Sequence, residues 1–133
     1  MKAVLDTNVF ISGIFWSGAS RESLELWRDG KYALVASLET ISEIETVLKD
    51  FKIRLPDDLI SAWIDLVISN CIMVEPVEKI DAVSDDPDDN MFLEAAVAAE
   101  ADYIVSQDNH LLKIKEFRGT KIVKPEEFNR LFS

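Results

Sequence analysis

Apolar residues fall along this chain in two patterns, short unbroken runs of three to five and longer stretches in which they recur at every third or fourth position. The short runs are Lys2–Leu5, Tyr32–Ala36, Cys71–Val74, Tyr103–Ser106 and Lys121–Val123, and they read as buried strands. Between them, Leu38, Ile41, Ile44, Val47, Leu48 and Phe51 have the spacing of an amphipathic helix. Ser20 is placed to cap a helix from about Arg21 to Asp29 that presents Leu24, Leu26 and Trp27 and stops at Gly30. Pro56-Asp57-Asp58 opens another helix, carrying Leu59, Ile60, Trp63, Ile64, Val67 and Ile68. Helical turns are also predicted after Asp6, through the alanine-rich stretch that follows Asp89, from Asn109 to Lys115, and after Pro125. Strands alternating with helices predict an α/β fold. The expected architecture is a single domain over 1–133, a three-layer sandwich around a mainly parallel sheet of four to five strands.

The stretch Ser84 to Asp108 draws these elements together. Aspartates at 85, 86, 88 and 89 lead into a helix, which turns at Ala101-Asp102 into a short apolar strand ending at Asp108. The first strand ends the same way, Ala3-Val4-Leu5-Asp6. Ligands of open parallel sheets sit at the carboxyl ends of the strands, so acids there can converge from distant parts of the chain. Asp6, Glu43, Asp89 and Asp108 are the candidates, separated by 37, 46 and 19 residues. Asp6 and Asp108 each follow a run of apolar strand residues and are the hardest to dismiss, whereas the acids between them have competing structural roles. Asp86 before Pro87 has the form of a helix N-cap, Asp89 falls where a capping box takes an acid, and Glu43 borders an apolar helical face beside Val47.

Four carboxylates within about 5 Å would repel pairwise by about 4 kcal/mol at the effective dielectric of a protein surface, so the cluster needs cations. Oxygen donors select Mg²⁺ or Mn²⁺ over Zn²⁺, and with one histidine and one cysteine nothing resembles a zinc site. A carboxylate-held ion of this kind suits hydrolysis of a phosphodiester, including by a two-metal mechanism.

Taken together, Val4-Leu5-Asp6-Thr7-Asn8-Val9, Leu38 to Val47 with Glu43, Asp86-Pro87-Asp88-Asp89 with Phe92-Leu93 and Ala95-Ala96, and Ala101 to Asp108 resemble a PIN domain, the PilT N-terminus type of metal-dependent ribonuclease. The resemblance runs nearly end to end and is closest to the toxin components of toxin–antitoxin pairs. It implies that Asp6, Glu43, Asp89 and Asp108 bind Mg²⁺ or Mn²⁺ and carry catalysis, supported by Thr7, Asn8, Asp86 and Ser106. It also implies an RNA substrate and an antitoxin partner. Gln107 stands where the family commonly has glycine.

Composition limits the mode of substrate binding. The net charge of −11 argues against general phosphate neutralisation. Residues 1–109 hold 8 basic and 22 acidic side chains, whereas 110–133 hold 6 basic and 3 acidic ones. This local excess makes Lys113, Lys115 and Arg118 candidate RNA contacts, against the alternative of an ordinary solvated face. Cys71 is expected to be a buried, inert thiol. No apolar run approaches a membrane span and no signal-peptide pattern is visible, so a cytoplasmic, soluble protein is expected. The apolar positions of the 57–69 helix exceed one buried stripe, which predicts a homodimer. Rival readings are a non-catalytic PIN-like binding module, a housekeeping RNA-processing nuclease, and other phosphate chemistry. Asn8 occupies the place of a second aspartate that a haloacid-dehalogenase-like phosphatase wants, which weakens the last of these.

Overall fold

The five apolar runs and one short added strand form a single six-stranded sheet in the computed structural model, which describes residues 1–133. β1 (Lys2–Leu5), β2 (Ala33–Ser37), β3 (Cys71–Val74), β4 (Tyr103–Val105), β5 (Glu116–Phe117) and β6 (Thr120–Val123) lie in the order β3-β2-β1-β4-β6-β5. All neighbours are parallel except β5 and β6. The strand beyond the expected four to five is β5, whose two residues are too few to show an alternation. Arg118 and Gly119, both at positive φ, turn it back onto β6.

Period-two alternation divides the strand residues between two cores. Ala3, Leu5, Leu34, Ala36, Val105 and Val123 face one side, where α1 (Thr7–Phe15), α2 (Ala19–Arg28), α3 (Leu38–Asp50), α4 (Asp57–Ser69) and α7 (Pro125–Arg130) pack. Val4, Val35, Ile104 and Ile122 face the other, under α5 (Asn90–Ala99) and α6 (Asn109–Leu112). Covering both faces is what a parallel sheet requires. Burying a side chain such as Leu34 or Ile104 stabilises by about 1.5–3 kcal/mol. The second core also takes Ile80 and Val83 from a connection whose polar sequence gives little sign of burial.

Local signals explain how the helices start. At α3, Ser37 Oγ accepts from Thr40 N at 3.2 Å and Thr40 Oγ1 accepts from Ser37 N at 3.0 Å, a reciprocal capping box that fixes the exit from β2. The expected cap of α2 by Ser20 is not what forms. That helix begins at Ala19, and Ser20 lies inside it, buried, accepting from Gln107 Nε2 at 3.0 Å. α1 and α2 meet closely at Gly13, where a Cβ would stand 2.5 Å from Leu24 Cδ1.

β3 is an edge strand that leaves Ile72 and Met73 exposed. Cys71 is half-buried rather than buried, and loss of solvent raises its thiol pKa, keeping it protonated. No helix is long and apolar enough to cross a membrane. The chain runs from β1 to β2 and β3 on one side, then returns to place β4 on the other side of β1. The β1/β4 boundary is therefore a topological switch point, where a crevice opens at the carboxyl ends of the strands.

Candidate active site

The register at the switch point aligns Leu5 with Val105, so the next residues, Asp6 and Ser106, leave the sheet side by side. Asp6 is 3 % exposed and caps α1, its Oδ1 accepting from Val9 N at 3.0 Å. Its Oδ2 accepts from the Ser106 hydroxyl and from Gln107 N at 3.3 Å. Ser106 Oγ in turn accepts from Asp108 N at 2.9 Å, so one hydroxyl links the two strand-end acids. Burial raises the Asp6 pKa, with these hydrogen bonds opposing the shift and the Asp108 charge adding to it.

Asp108 caps the short helix α6, accepting from His110 N at 2.8 Å. Asp89 comes from the opposite direction, on a 3₁₀ turn (Pro87–Asp89) ahead of α5. The helix-cap reading of these acids is not realised, since neither Asp86 nor Asp89 accepts a cap hydrogen bond through its side chain. The turn is instead held by buried Asn90. Its Oδ1 accepts from Ala82 N at 3.0 Å and Val83 N at 2.8 Å, and its Nδ2 donates to Pro87 O at 3.0 Å.

Asp6, Thr7, Asn8, Glu43, Asp86, Asp88, Asp89 and Asp108 line one cavity of about 150 Å³, with Val47, Met91 and Phe92 as its apolar wall. The structure thus brings all four sequence candidates to a common space, together with Thr7, Asn8 and Asp86. Ser106 lies behind them, fully buried, acting through Asp6 and Asp108. Glu43, half-buried, reaches the cavity from the second turn of α3.

The electrostatics are those of crowded acids. Burial first, and then Asp108, Asp86 and Asp6, push the Asp89 pKa up to about 8. Asp108 moves below the usual carboxylate range, chiefly through a hydrogen bond from protonated Asp89, helped by His110 N–H. Asp89 Oδ2 is buried without a partner, as is the Thr7 hydroxyl in the same cavity. Hard oxygens in excess, orphaned atoms and a retained proton fit a divalent cation better than a self-sufficient polar network.

Two participants escape the sequence reading. Asn90 looked like an ordinary helix residue, although an Asn right after an acidic turn is a loop-stitching signal. His110, two residues past Asp108, joins Asp86, Asp89 and Asp108 in a group whose ligand atoms all lie within 4.8 Å of one another. The spacing Asp108-x-His110 was its only trace. The proposed RNA contacts are mostly engaged elsewhere: Lys113 Nζ lies 2.6 Å from Asp85 Oδ2 and Arg118 Nη2 lies 2.6 Å from Glu78 Oε2, while Lys115 is exposed and unpaired. Position 107 does not have positive φ, so Gln107 replaces glycine without backbone strain.

Compared with known proteins, residues 2–110 match the family model of the PIN domain. No curated protein sequence matches the chain. Among solved structures it is similar to VapBC2 from Rickettsia felis bound to a DNA fragment from its promoter, at TM-score 0.60 and 14 % identity over 92 % of this chain and 97 % of that one. PAE2754 from Pyrobaculum aerophilum superposes at TM-score 0.60 and 16 % identity, over 98 % and 88 %. VapBC-1 from nontypeable Haemophilus influenzae does so at TM-score 0.59 and 15 % identity, over 95 % and 99 %. At these identities the likeness carries the fold.

Proposed function

The chain belongs to the PIN domain family, and from that premise we propose that it is a divalent-metal-dependent endoribonuclease that hydrolyses single-stranded RNA in the cavity at the ends of β1 and β4. The observation that carries this reading is the convergence of Asp6, Glu43, Asp89 and Asp108 on one space in which a buried Asp89 oxygen has no partner. These four acids would hold Mg²⁺ or Mn²⁺, which when bound neutralises phosphate charge and lowers the pKa of water.

The chain's own residues prepare the site. Val9 N, Gln107 N and Ser106 Oγ orient Asp6 and keep it available as a carboxylate. Asp108 is fixed through Ser106 and the first turn of α6, and Asn90 sets the turn that carries Asp86 and Asp89. Asp89 holds the proton that leaves when cations enter. A cavity lined by six acids repels a polyanion by itself, so substrate binding depends on the loaded site and on basic groups outside it such as Lys115.

The fold shared with VapBC assemblies supports reading the chain as the toxin of a toxin–antitoxin pair with an antitoxin protein as partner, and half-exposed Leu59 and Ile68 on α4 support a homodimer as its own assembly. The test is cleavage of a single-stranded RNA by metal-stripped protein with and without Mg²⁺ or Mn²⁺. Cutting should need the ion, and undiminished cutting by chelator-treated protein would remove the reading.

A further inference from the structure

We propose that His110 supplies a nitrogen ligand to the cation held by Asp86, Asp89 and Asp108, so that the site takes Mn²⁺ or a later first-row transition ion in preference to Mg²⁺. The inference rests on the metal-dependent reading above and deepens it. One ion at a bond length of 2.0–2.1 Å has opposite ligands about 4.2 Å apart. The four ligand atoms here already lie within 4.8 Å, so small side-chain movements close them on a single centre.

His110 Nδ1 is buried and has no hydrogen bond. It stands 3.6 Å from Asp108 Oδ1, beyond hydrogen-bonding reach, while the same residue's backbone N–H donates to that oxygen at 2.8 Å. The backbone bond holds the Asp108 carboxylate against the residue that carries the ring, as supporting contacts orient metal ligands. The rest of the side chain is 43 % exposed, so core packing does not account for the ring's position. Independently, the Thr7 hydroxyl, on a residue 6 % exposed, lines the same cavity with no partner, which marks the space as one made for a polar occupant. Asp86 keeps its oxygens free of cap bonds although it stands at a cap position.

The chemistry follows from donor type. Three carboxylates alone suit Mg²⁺, Ca²⁺ and Mn²⁺ alike, whereas an imidazole adds affinity for transition ions and little for Mg²⁺.

The test uses the full chain, stripped of metal and reloaded with Mn²⁺ alone. Pulsed electron paramagnetic resonance should show the ¹⁴N modulation of a directly bound imidazole. Calorimetric titration should give tighter binding of Mn²⁺ than of Mg²⁺, and in His110→Gln the Mn²⁺ affinity should fall about 10–100-fold with Mg²⁺ affinity nearly unchanged. Mn²⁺ bound without nitrogen coupling, or equal loss of both ions in His110→Gln, would overturn the histidine ligand while leaving the carboxylate site standing. Failure of the wild-type chain to bind either ion would overturn both proposals. The spectroscopic arm needs no variant, and metal-free melts of His110→Gln show that the variant is folded.

Discussion

The Ser106 hydroxyl donates to Asp6 Oδ2 across a hundred residues of sequence, at the point where two neighbouring parallel strands end. Ser106 Oγ itself accepts the Asp108 backbone N–H at 2.9 Å, so this one hydroxyl is hydrogen-bonded to both strand-end acids.

Replacing it tests that linkage. Ser106→Ala leaves a buried carboxylate oxygen and a backbone N–H each short of a partner, and should cost about 1–3 kcal/mol in urea unfolding of the metal-free protein. Because the hydroxyl holds the Asp6 pKa down, its loss should also weaken metal binding. An unchanged unfolding midpoint would mean that the contact contributes nothing.

The basic groups outside the cavity can be resolved residue by residue. Lys113 and Arg118 are spent on exposed ion pairs, each worth about 0–1 kcal/mol, whereas Lys115 is free. Lys115→Glu should therefore weaken RNA binding and lower its salt slope by about 1 or 2, with little effect on stability. The same slope in variant and wild type would assign these lysines to a merely solvated face.

Assembly is a separate matter. On α4, Ile60, Ile64 and Val67 are buried, whereas Leu59 and Ile68 are about half exposed and lie on a chain whose neighbouring edge strand bares Ile72 and Met73. A homodimer should appear in sedimentation velocity at micromolar concentration, and the double change Leu59→Asp with Ile68→Asp should shift it to monomer while the far-ultraviolet spectrum is kept. A wild-type monomer at high concentration would sink the idea.

What the sequence revealed and what it hid have different physical origins. Asp6 and Asp108 were legible because each ends a buried run, whereas the adjacency of β1 and β4 that brings them together is set by the sheet order. Cys71 was expected to be buried because Cys71–Val74 is apolar throughout, and an apolar run does not reveal that its strand lies at the sheet edge with a neighbour on one side only. The partner of Ser20 inside α2 is Gln107, 87 residues away, which no local pattern encodes. His110 stayed hidden for the same reason, since only the turn bearing Asp86 and Asp89, shaped by Asn90, gives its ring a purpose.

The raised pKa of Asp89 predicts a pH dependence for the metal-free protein. The Asp89 pKa rises from 3.8 to about 8 on folding, so the folded state binds that proton more tightly than the unfolded chain. The resulting stability is fully present below about pH 4 and is lost as pH rises through 8. Asp6 moves in the same direction, whereas the lowered pKa of Asp108 acts only below its ordinary value. In chelator, unfolding midpoints should therefore decline from pH 5 to 8.5. A flat profile over that range would rule out a raised Asp89 pKa.

Asp89→Asn separates a site residue from a scaffold residue. If Asp89 served the helix, the change would cost at most about 1 kcal/mol, and metal response and cleavage would persist. The absence of any cap bond from its side chain argues against that role. As one of several crowded acids, its replacement by a neutral amide removes repulsion from Asp108, Asp86 and Asp6. The metal-free variant should then melt at or above the wild-type temperature at pH 8, where the wild type has begun to ionise. A ligand stabilises only by binding the folded state, so the rise in midpoint on adding Mn²⁺ should shrink together with cleavage. A variant that melts lower in chelator, yet gains the full Mn²⁺ shift and still cuts RNA, would make Asp89 a structural acid and remove it from the carboxylates proposed to hold the cation.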